Sequence, residues 1–181
     1  MKKYESGELR RGSVLWLTVT AFLTAMTIVL SLSVFSIPVP GGHLYFCDAI
    51  INTAAILLDP FAAFVVGGIG SFLGDFFFYP APMFVSLVSH GLQAVAVSLI
   101  SHRLFPRKKI VGSSIAVIVG ALIMVLGYTL GRAYVYSTPE YAILKLPFEF
   151  LQAGFGAAMS IILCYPLRLE QAFHRLVHEG R

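Results

Sequence analysis

The chain has 181 residues, of which 57% are hydrophobic and only 12% are charged, and its formal net charge is +4. Soluble domains carry about 25% charged residues, so this composition excludes a soluble globular protein. Because one membrane span needs roughly 20 apolar residues, the length allows about six spans and leaves no room for a soluble catalytic domain.

Apolar runs of helical length follow one another along the chain. They predict six transmembrane helices, over about 14–35, 45–58, 61–79, 83–104, 110–132 and 147–165. The second run is short for a full crossing. Loops are predicted at 36–44, which contains two prolines and two glycines, and at 133–146. We therefore expect an all-α integral membrane bundle of six transmembrane helices, forming a single domain over 1–181.

Lys and Arg residues mark one side of this predicted bundle. Eleven of the thirteen fall in the segments before the first helix, between the fourth and fifth, and after the sixth: Lys2, Lys3, Arg10, Arg11, Arg103, Arg107, Lys108, Lys109, Arg168, Arg175 and Arg181. Arg132 and Lys145 are predicted on the other side. Because short loops rich in Lys and Arg stay in the cytoplasm, both termini should be cytoplasmic, with 1–13 and 166–181 as tails and an interfacial helix in the second tail. This topology accounts for the positive charge, so no nucleic-acid partner is predicted.

Polar side chains within the predicted helices share one depth, toward the outer end. They are Asp48, Asp75, His90, Gln93, Arg132, Glu149 and Gln152. An ionisable residue at the bilayer centre costs about 2.5 to 3.5 kcal/mol on insertion scales unless it faces the bundle interior or a watered cavity. Their common level predicts a binding cavity open to the outside. The alternative is a ligand-free structural protein, in which pairs such as Arg132 with Glu149 or Asp75 lock the bundle together.

Aromatic residues lie at the same level. Tyr45, Tyr79 and Tyr136 stand beside the polar candidates, where they can stack on a flat ligand. The remaining aromatic residues at this level suit the interfacial belt that Trp and Tyr form in membrane proteins.

Neither a metal site nor a cofactor is predicted. His43 and His90 lack a close ligand spacing such as H-x-x-x-H, and Cys47 and Cys164 form no C-x-x-C pair. An intramembrane hydrolase with Ser71 and His90 as nucleophile and base is a second alternative, although no G-x-S-x-G motif is present.

The first helix carries Ala21 and Ala25 four residues apart. Small residues at this spacing let another helix approach closely in a membrane. The pair therefore marks a docking face for a partner, unless it packs inside the bundle itself.

Several segments together resemble a known family over nearly the whole chain. They are the Ala21-xxx-Ala25 pair, 45-YFCDAIINTAAILLDPFAAFVVGGIGSFLGDFFFYP-80, 89-SHGLQAVAVSLI-100 and 148-FEFLQAGFGAA-158. This pattern is similar to S-components, the substrate-capturing membrane subunits of energy-coupling factor (ECF) vitamin transporters. Two positions depart from it: Cys47 stands where relatives often have Gly, and His90 where Lys is frequent.

The resemblance implies a subunit without ATPase activity in the bacterial cytoplasmic membrane. It would bind a vitamin or precursor from outside and dock through Ala21 and Ala25 to a transmembrane coupling subunit driven by two ATPases. Its nearest likeness is to the pyridoxine or hydroxymethylpyrimidine type, while related subunits carry cargoes as different as cobalamin. By position, the site would comprise His43, Tyr45, Asp48, Asp75, Tyr79, His90, Gln93, Arg132, Glu149 and Gln152, to which the aromatic argument adds Tyr136.

Overall fold

The computed structural model describes residues 11–32, 35–103 and 108–179. Within these ranges the helices are α1 Val14–Leu30, α2 Cys47–Leu57, α3 Pro60–Phe78, α4 Met83–Arg103, α5 Lys109–Tyr136, α6 Pro139–Cys164 and α7 Leu169–Glu179. Five of the basic residues behind the orientation prediction lie outside the described residues: Lys2, Lys3, Arg10, Arg107 and Arg181.

The helices are those of a membrane protein. Within the described ranges, α3, α4, α5 and α6 are long and apolar enough to cross a bilayer, whereas α1 and α2 are apolar but shorter. The predicted all-α membrane bundle is thus confirmed in its class. Six crossings and cytoplasmic termini remain predictions.

The predicted loop 133–146 is wrong. α5 continues to Tyr136 through a π-helical turn, Arg132–Tyr136, and α6 begins at Pro139 after Thr138, which has extended backbone. Proline suits the first turn of a helix, and the sequence therefore predicts that the sixth helix starts at Pro147. In the structure Pro147 lies inside α6, where membrane helices tolerate proline.

The loop after α1 contains a β-hairpin that the all-α prediction did not include. Strand β1, Ile37–Val39, pairs antiparallel with β2, Gly42–Leu44, so that Val39 faces Gly42 across the turn. The turn residues are Pro40 and Gly41, and Gly41 has a φ of +80°. Pro followed by a residue with positive φ is the composition of a type II turn.

Helix α2 forms the centre of the bundle, packed by α1, α4 and α6. Nine of its 11 residues are buried, so most of the surface of α2 contacts other parts of the protein. Gly156 of α6 lies against Asp48 of α2, and an added Cβ at Gly156 would collide with the Asp48 side chain. The glycine therefore sets how closely α6 approaches α2.

The turn between α2 and α3 is tied to the start of α1. Asp59 caps α3 by accepting from the Phe61 N–H at 3.0 Å, and it also accepts from Trp16 Nε1 at 2.6 Å and Arg11 Nε at 2.7 Å. Burial opposes ionisation of Asp59, but these hydrogen bonds outweigh it and lower the pKa of its carboxyl. The charge of Asp59 thus joins two helices at this end.

The same end of the bundle is closed by α7. Its Phe173 and Val177 are buried in one apolar cluster with Trp16 and Leu58, and Lys109 Nζ lies 2.5 Å from Glu170 Oε1. A helix in the second tail is thereby confirmed, while its interfacial position remains a prediction.

This end is not wholly apolar. Ser98 Oγ donates to the Leu58 carbonyl at 2.8 Å, and His102 Nε2 donates to the Ile56 carbonyl at 3.0 Å. These two bonds satisfy carbonyl groups at the C-terminal end of α2, which have no partner within the helix.

Candidate functional site

A partly open cavity with a volume of about 160 Å³ lies at the hairpin end of the bundle. Its walls come from the hairpin and from α3, α4, α5 and α6. Nine of the eleven predicted binding residues line it: His43, Tyr45, Asp75, Tyr79, His90, Arg132, Tyr136, Glu149 and Gln152. Asp48 and Gln93 do not line the cavity.

Asp48 and Gln93 instead brace the lining from behind. Asp48 is buried and accepts hydrogen bonds from Gln152 Nε2 at 2.8 Å and Gln93 Nε2 at 3.0 Å. Gln93 Nε2 also donates to Asn52 Oδ1 at 3.1 Å. A buried carboxylate needs such donors, so this network holds α2, α4 and α6 in register beside the cavity.

The network also sets the proton position on His90. The Gln93 amide nitrogen already donates to Asp48 and Asn52, so its oxygen accepts. His90 Nδ1, at 2.7 Å from Gln93 Oε1, is therefore the donor. In the neutral imidazole this leaves Nε2 as an acceptor.

Two cations fasten the hairpin over one wall of the cavity. Arg132 donates to the Gly41 carbonyl at 2.8 Å and to Glu149 Oε1 at 3.2 Å. Lys145, which is 1% exposed, donates to the His43 carbonyl at 2.6 Å. The pairing of Arg132 with Glu149 was predicted by the alternative in which the protein has no ligand and such pairs lock the bundle together.

The cavity lining also includes Asp75, on α3. Asp75 accepts a hydrogen bond from Ser86 Oγ, and the same hydroxyl lies 2.5 Å from the Tyr128 hydroxyl. Asp75 therefore pairs with the hydroxyl group of Ser86 on α4, which in turn contacts the Tyr128 hydroxyl of α5. Among the described residues Arg132 forms its ion pair with Glu149 and not with Asp75.

Three buried polar atoms around the cavity have no hydrogen-bond partner among the described residues. They are Ser71 Oγ, Arg132 Nε and the Tyr136 hydroxyl. A buried polar group without a partner costs about 1 to 3 kcal/mol. Three further atoms of this kind in the described part of the chain, Thr20 Oγ1, Asn52 Nδ2 and Thr129 Oγ1, belong to residues that do not line the cavity.

The chain matches the family model described as "ECF-type riboflavin transporter, S component" over residues 12–169. The chain belongs to this S-component family. It is thus a membrane-embedded subunit of vitamin transport, from a family of transporters and not of enzymes. A protein of Pyrococcus woesei, described as "uncharacterized protein in gap 3′ region", is 31% identical to it over 144 residues, which cover 80% of this chain and 95% of that protein.

The predicted site of this S-component omitted several lining residues, of which Lys145 matters most. The predicted start of the sixth helix at Pro147 places Lys145 in a loop. Pro139 could have indicated the earlier start, because proline suits the first turn of a helix. Tyr128 was also missed, although it precedes Arg132 by four residues and so lies on the same helical face.

Three residues of the S-component bring metal-binding atom types together. Cys47, Asp48 and His90 each offer one atom, and these atoms lie within 4.8 Å of one another. However, Asp48 already accepts two amide hydrogen bonds, and Nδ1 of His90 donates to Gln93. Glutamine side chains thus satisfy Asp48 and His90 without an ion, and the absence of a metal remains a prediction.

The hydrolase alternative requires a base beside Ser71. Ser71 and His90 line the same cavity, but Ser71 Oγ has no hydrogen-bond partner in the described part of the chain. His90 Nδ1 is engaged by Gln93. A nucleophile–base pair needs a hydrogen bond between its members, and this structure contains no such bond between Ser71 and His90.

Ala21 and Ala25 are both exposed on the outer surface of α1. Around them the exposed surface is apolar, with Leu17 54%, Phe22 62% and Val29 45% exposed. The pair therefore does not pack inside the bundle. This face remains open to lipid or to another helix.

Proposed function

We propose that the protein captures a small one-ring vitamin or vitamin precursor from outside the cell and delivers it through an ATP-driven ECF module. The observation that carries this proposal is the cavity with its three unpartnered polar atoms, Ser71 Oγ, Arg132 Nε and the Tyr136 hydroxyl. A bundle whose polar groups only locked its helices together would have no need of polar side chains on the walls of a partly open cavity.

The orientation belongs to the same proposal. All six helices α1 to α6 cross the membrane, with the hairpin outside and both termini in the cytoplasm of a bacterial cell. The Lys and Arg distribution supports it, since Arg103, Lys108, Lys109 and Arg168 flank helix ends remote from the hairpin. In this orientation the cavity faces the side from which nutrients arrive.

The size of the cavity supports a ligand with a single aromatic ring. An engineered apolar cavity of about 150 Å³ in another protein holds one benzene molecule, and the present cavity is similar, at about 160 Å³. Pyridoxine and hydroxymethylpyrimidine each have one six-membered ring. The three fused rings of riboflavin, which the family description names, and the far larger cobalamin would require the walls to move apart.

The lining supports the same ligand class. Tyr45, Tyr79 and Tyr136 provide aromatic surfaces, and Asp75 and Arg132 provide polar contacts at separate walls. Small-molecule sites typically combine aromatic surface with a few oriented polar groups.

The partners follow from the exposed face of α1. We propose that Ala21 and Ala25 meet a helix of the transmembrane coupling subunit, which is driven by two ATPases. Small residues allow close helix contact in lipid, and within the bundle no helix covers this pair, since both residues are exposed.

Calorimetric titration of the purified protein tests the capture function. Pyridoxine, hydroxymethylpyrimidine and riboflavin are each added to protein freed of bound small molecules by gentle washing. We expect one of the one-ring compounds to bind with a stoichiometry of one and riboflavin to bind more weakly. Tight riboflavin binding would overturn the one-ring assignment. The capture function itself would be overturned if none of the three compounds bound and the protein purified from cells grown in rich medium carried no small molecule.

A further inference from the structure

The cavity has two chemically different walls. Helix α3 packs on α1, α2 and α4, whereas α6 packs on α2, α5 and the hairpin. Ser71 and Asp75 of α3 line the cavity and are named the α3 wall, and Arg132, Tyr136, Lys145 and Glu149 line it as well and are named the α5–α6 wall. Both sets of residues line the same cavity.

The α5–α6 wall supplies hydrogen-bond donors. Arg132 uses its two terminal nitrogens for Gly41 and Glu149, and its Nε–H has no partner among the described residues. The Tyr136 hydroxyl is likewise unpartnered there, and the Arg132 guanidinium lies 5.3 Å from the Tyr136 ring centre. Lys145 adds a second positive charge beside the single carboxylate of Glu149.

The π-helical turn at the end of α5 contains both donor residues. Arg132 and Tyr136 are its first and last residues, and residues four apart lie near one face of a helix. π-helical turns occur frequently at functional sites. Both residues line the cavity, and each has one buried donor atom without a partner in the described part of the chain.

The α3 wall supplies acceptors. Asp75 carries a carboxylate that lines the cavity, and in the described part of the chain neither Arg132 nor Lys145 forms an ion pair with it. Ser71, one helical turn earlier, contributes an unpartnered hydroxyl. This wall is suited to an N–H or O–H donor of the ligand.

We propose that the cavity selects a ring that bears an acidic oxygen toward Arg132 and Tyr136 and an N–H donor toward Asp75. This inference rests on the proposed capture function and names the chemical class of its substrate. A 3-hydroxypyridine has both groups, since its phenolic proton can move to the ring nitrogen. Hydroxymethylpyrimidine has N–H donors but no acidic oxygen, so the inference separates the two candidate ligands and favours pyridoxine.

Binding of pyridoxine and of its 3-O-methyl ether to the full-length protein tests this inference by calorimetry. The ether keeps the ring but has no acidic oxygen. Since a hydrogen bond to a charged group is stronger than one between neutral groups, we expect the ether and hydroxymethylpyrimidine each to bind at least about tenfold more weakly than pyridoxine. Equal affinity for pyridoxine and the ether would overturn the inference while leaving the capture function intact.

Two variants test whether the preference for pyridoxine over its ether depends on the α5–α6 wall. Tyr136→Phe removes a hydroxyl without a described partner, so the fold should be preserved; it should weaken pyridoxine about fivefold or more and leave the ether unchanged. Arg132→Lys keeps the charge but has no Nε. It should likewise reduce the ratio of the affinity for pyridoxine to the affinity for the ether. A ratio that neither variant changes would overturn the inference.

If pyridoxine does not bind, the small molecules released from protein purified from cells grown in rich medium test the inference instead. A released compound with an acidic oxygen and an N–H group supports the inference, and one without an acidic oxygen overturns it. An empty extract together with no binding overturns the capture function as well.

Discussion

Gln152 Nε2 donates a hydrogen bond of 2.8 Å to Asp48 Oδ2, from the middle of α6 to the first turn of α2. The oxygen of the same amide accepts from the Tyr45 N–H at 3.0 Å. One side chain thus joins the hairpin, the central helix and α6, and it also lines the cavity. Its amide provides a donor and an acceptor at once, which neither a carboxylate nor an apolar group can do.

Replacing Gln152→Glu should destabilise the protein markedly. The change places a second carboxylate against buried Asp48 and removes its donor, and loss of a buried charge partner costs about 3 to 5 kcal/mol. We expect the melting temperature of the detergent-solubilised protein to fall by roughly 6 °C or more. The control Gln171→Glu makes the same change on the exposed surface of α7 and should shift it by less than about 2 °C. Equal shifts would show that the Gln152–Asp48 bond contributes nothing specific.

Gly156→Ala should weaken the packing of α6 on α2. The added methyl group collides with Asp48, and overpacking of this kind costs about 1 to 3 kcal/mol. The matched control is Gly154→Ala in the same helix, where an added Cβ meets nothing within 4 Å. Thermal unfolding should show a lower melting temperature for the first variant and an unchanged or slightly higher one for the second. The reverse order would contradict the close approach of the two helices.

Asp59 should make the stability dependent on pH. Its folded-state pKa is lowered, despite the opposing effect of burial, by hydrogen bonds from Trp16 and Arg11. A lowered pKa adds stability above the unfolded-state value of about 4, and this contribution is lost as the pH falls through the folded-state value. Asp59→Asn should therefore lower the melting temperature at pH 6, with the difference from wild type shrinking toward pH 3. A difference that stays constant over this range would exclude the ionised carboxylate as its source.

Ala21→Trp and Ala25→Trp should stop vitamin uptake by cells while leaving ligand binding to the purified protein unchanged. A large ring on this face prevents the close helix approach that small residues permit, and both positions are exposed and neither lines the cavity. The control is Leu122→Trp, at an exposed apolar position of α5. Uptake at the wild-type level in both alanine variants would contradict docking through α1.

The polar residues of the site could be selected from the sequence because the membrane makes them conspicuous. A buried Asp75 or Arg132 has few roles in lipid other than pairing or binding, and five of the seven residues chosen on this basis line one cavity. Asp48 and Gln93 were grouped with them because depth alone does not show which way a side chain points. Their bracing role depends on contacts between α2, α4 and α6, which no local pattern encodes.

The errors in the fold have local causes. Pro139 and Pro147 both fit the first turn of a helix, and choosing Pro147 placed Lys145 in a loop. The hairpin was missed because Pro38 and Pro40 resemble an irregular loop, whereas proline is tolerated in an edge strand such as β1. The π-helical turns Val65–Ile69 in α3 and Arg132–Tyr136 in α5 carry no recognised sequence signal.

Native mass spectrometry of the protein purified from rich medium tests capture at the hairpin-end cavity most directly. We predict one bound small molecule per chain, with the mass of a one-ring vitamin, and its loss in the double variant Asp75→Asn, Arg132→Gln. The variant Leu122→Trp, which leaves the cavity intact, should retain it. A wild-type protein that carries no small molecule even after pyridoxine and hydroxymethylpyrimidine are added, or a double variant that retains the same molecule undiminished, would contradict the account.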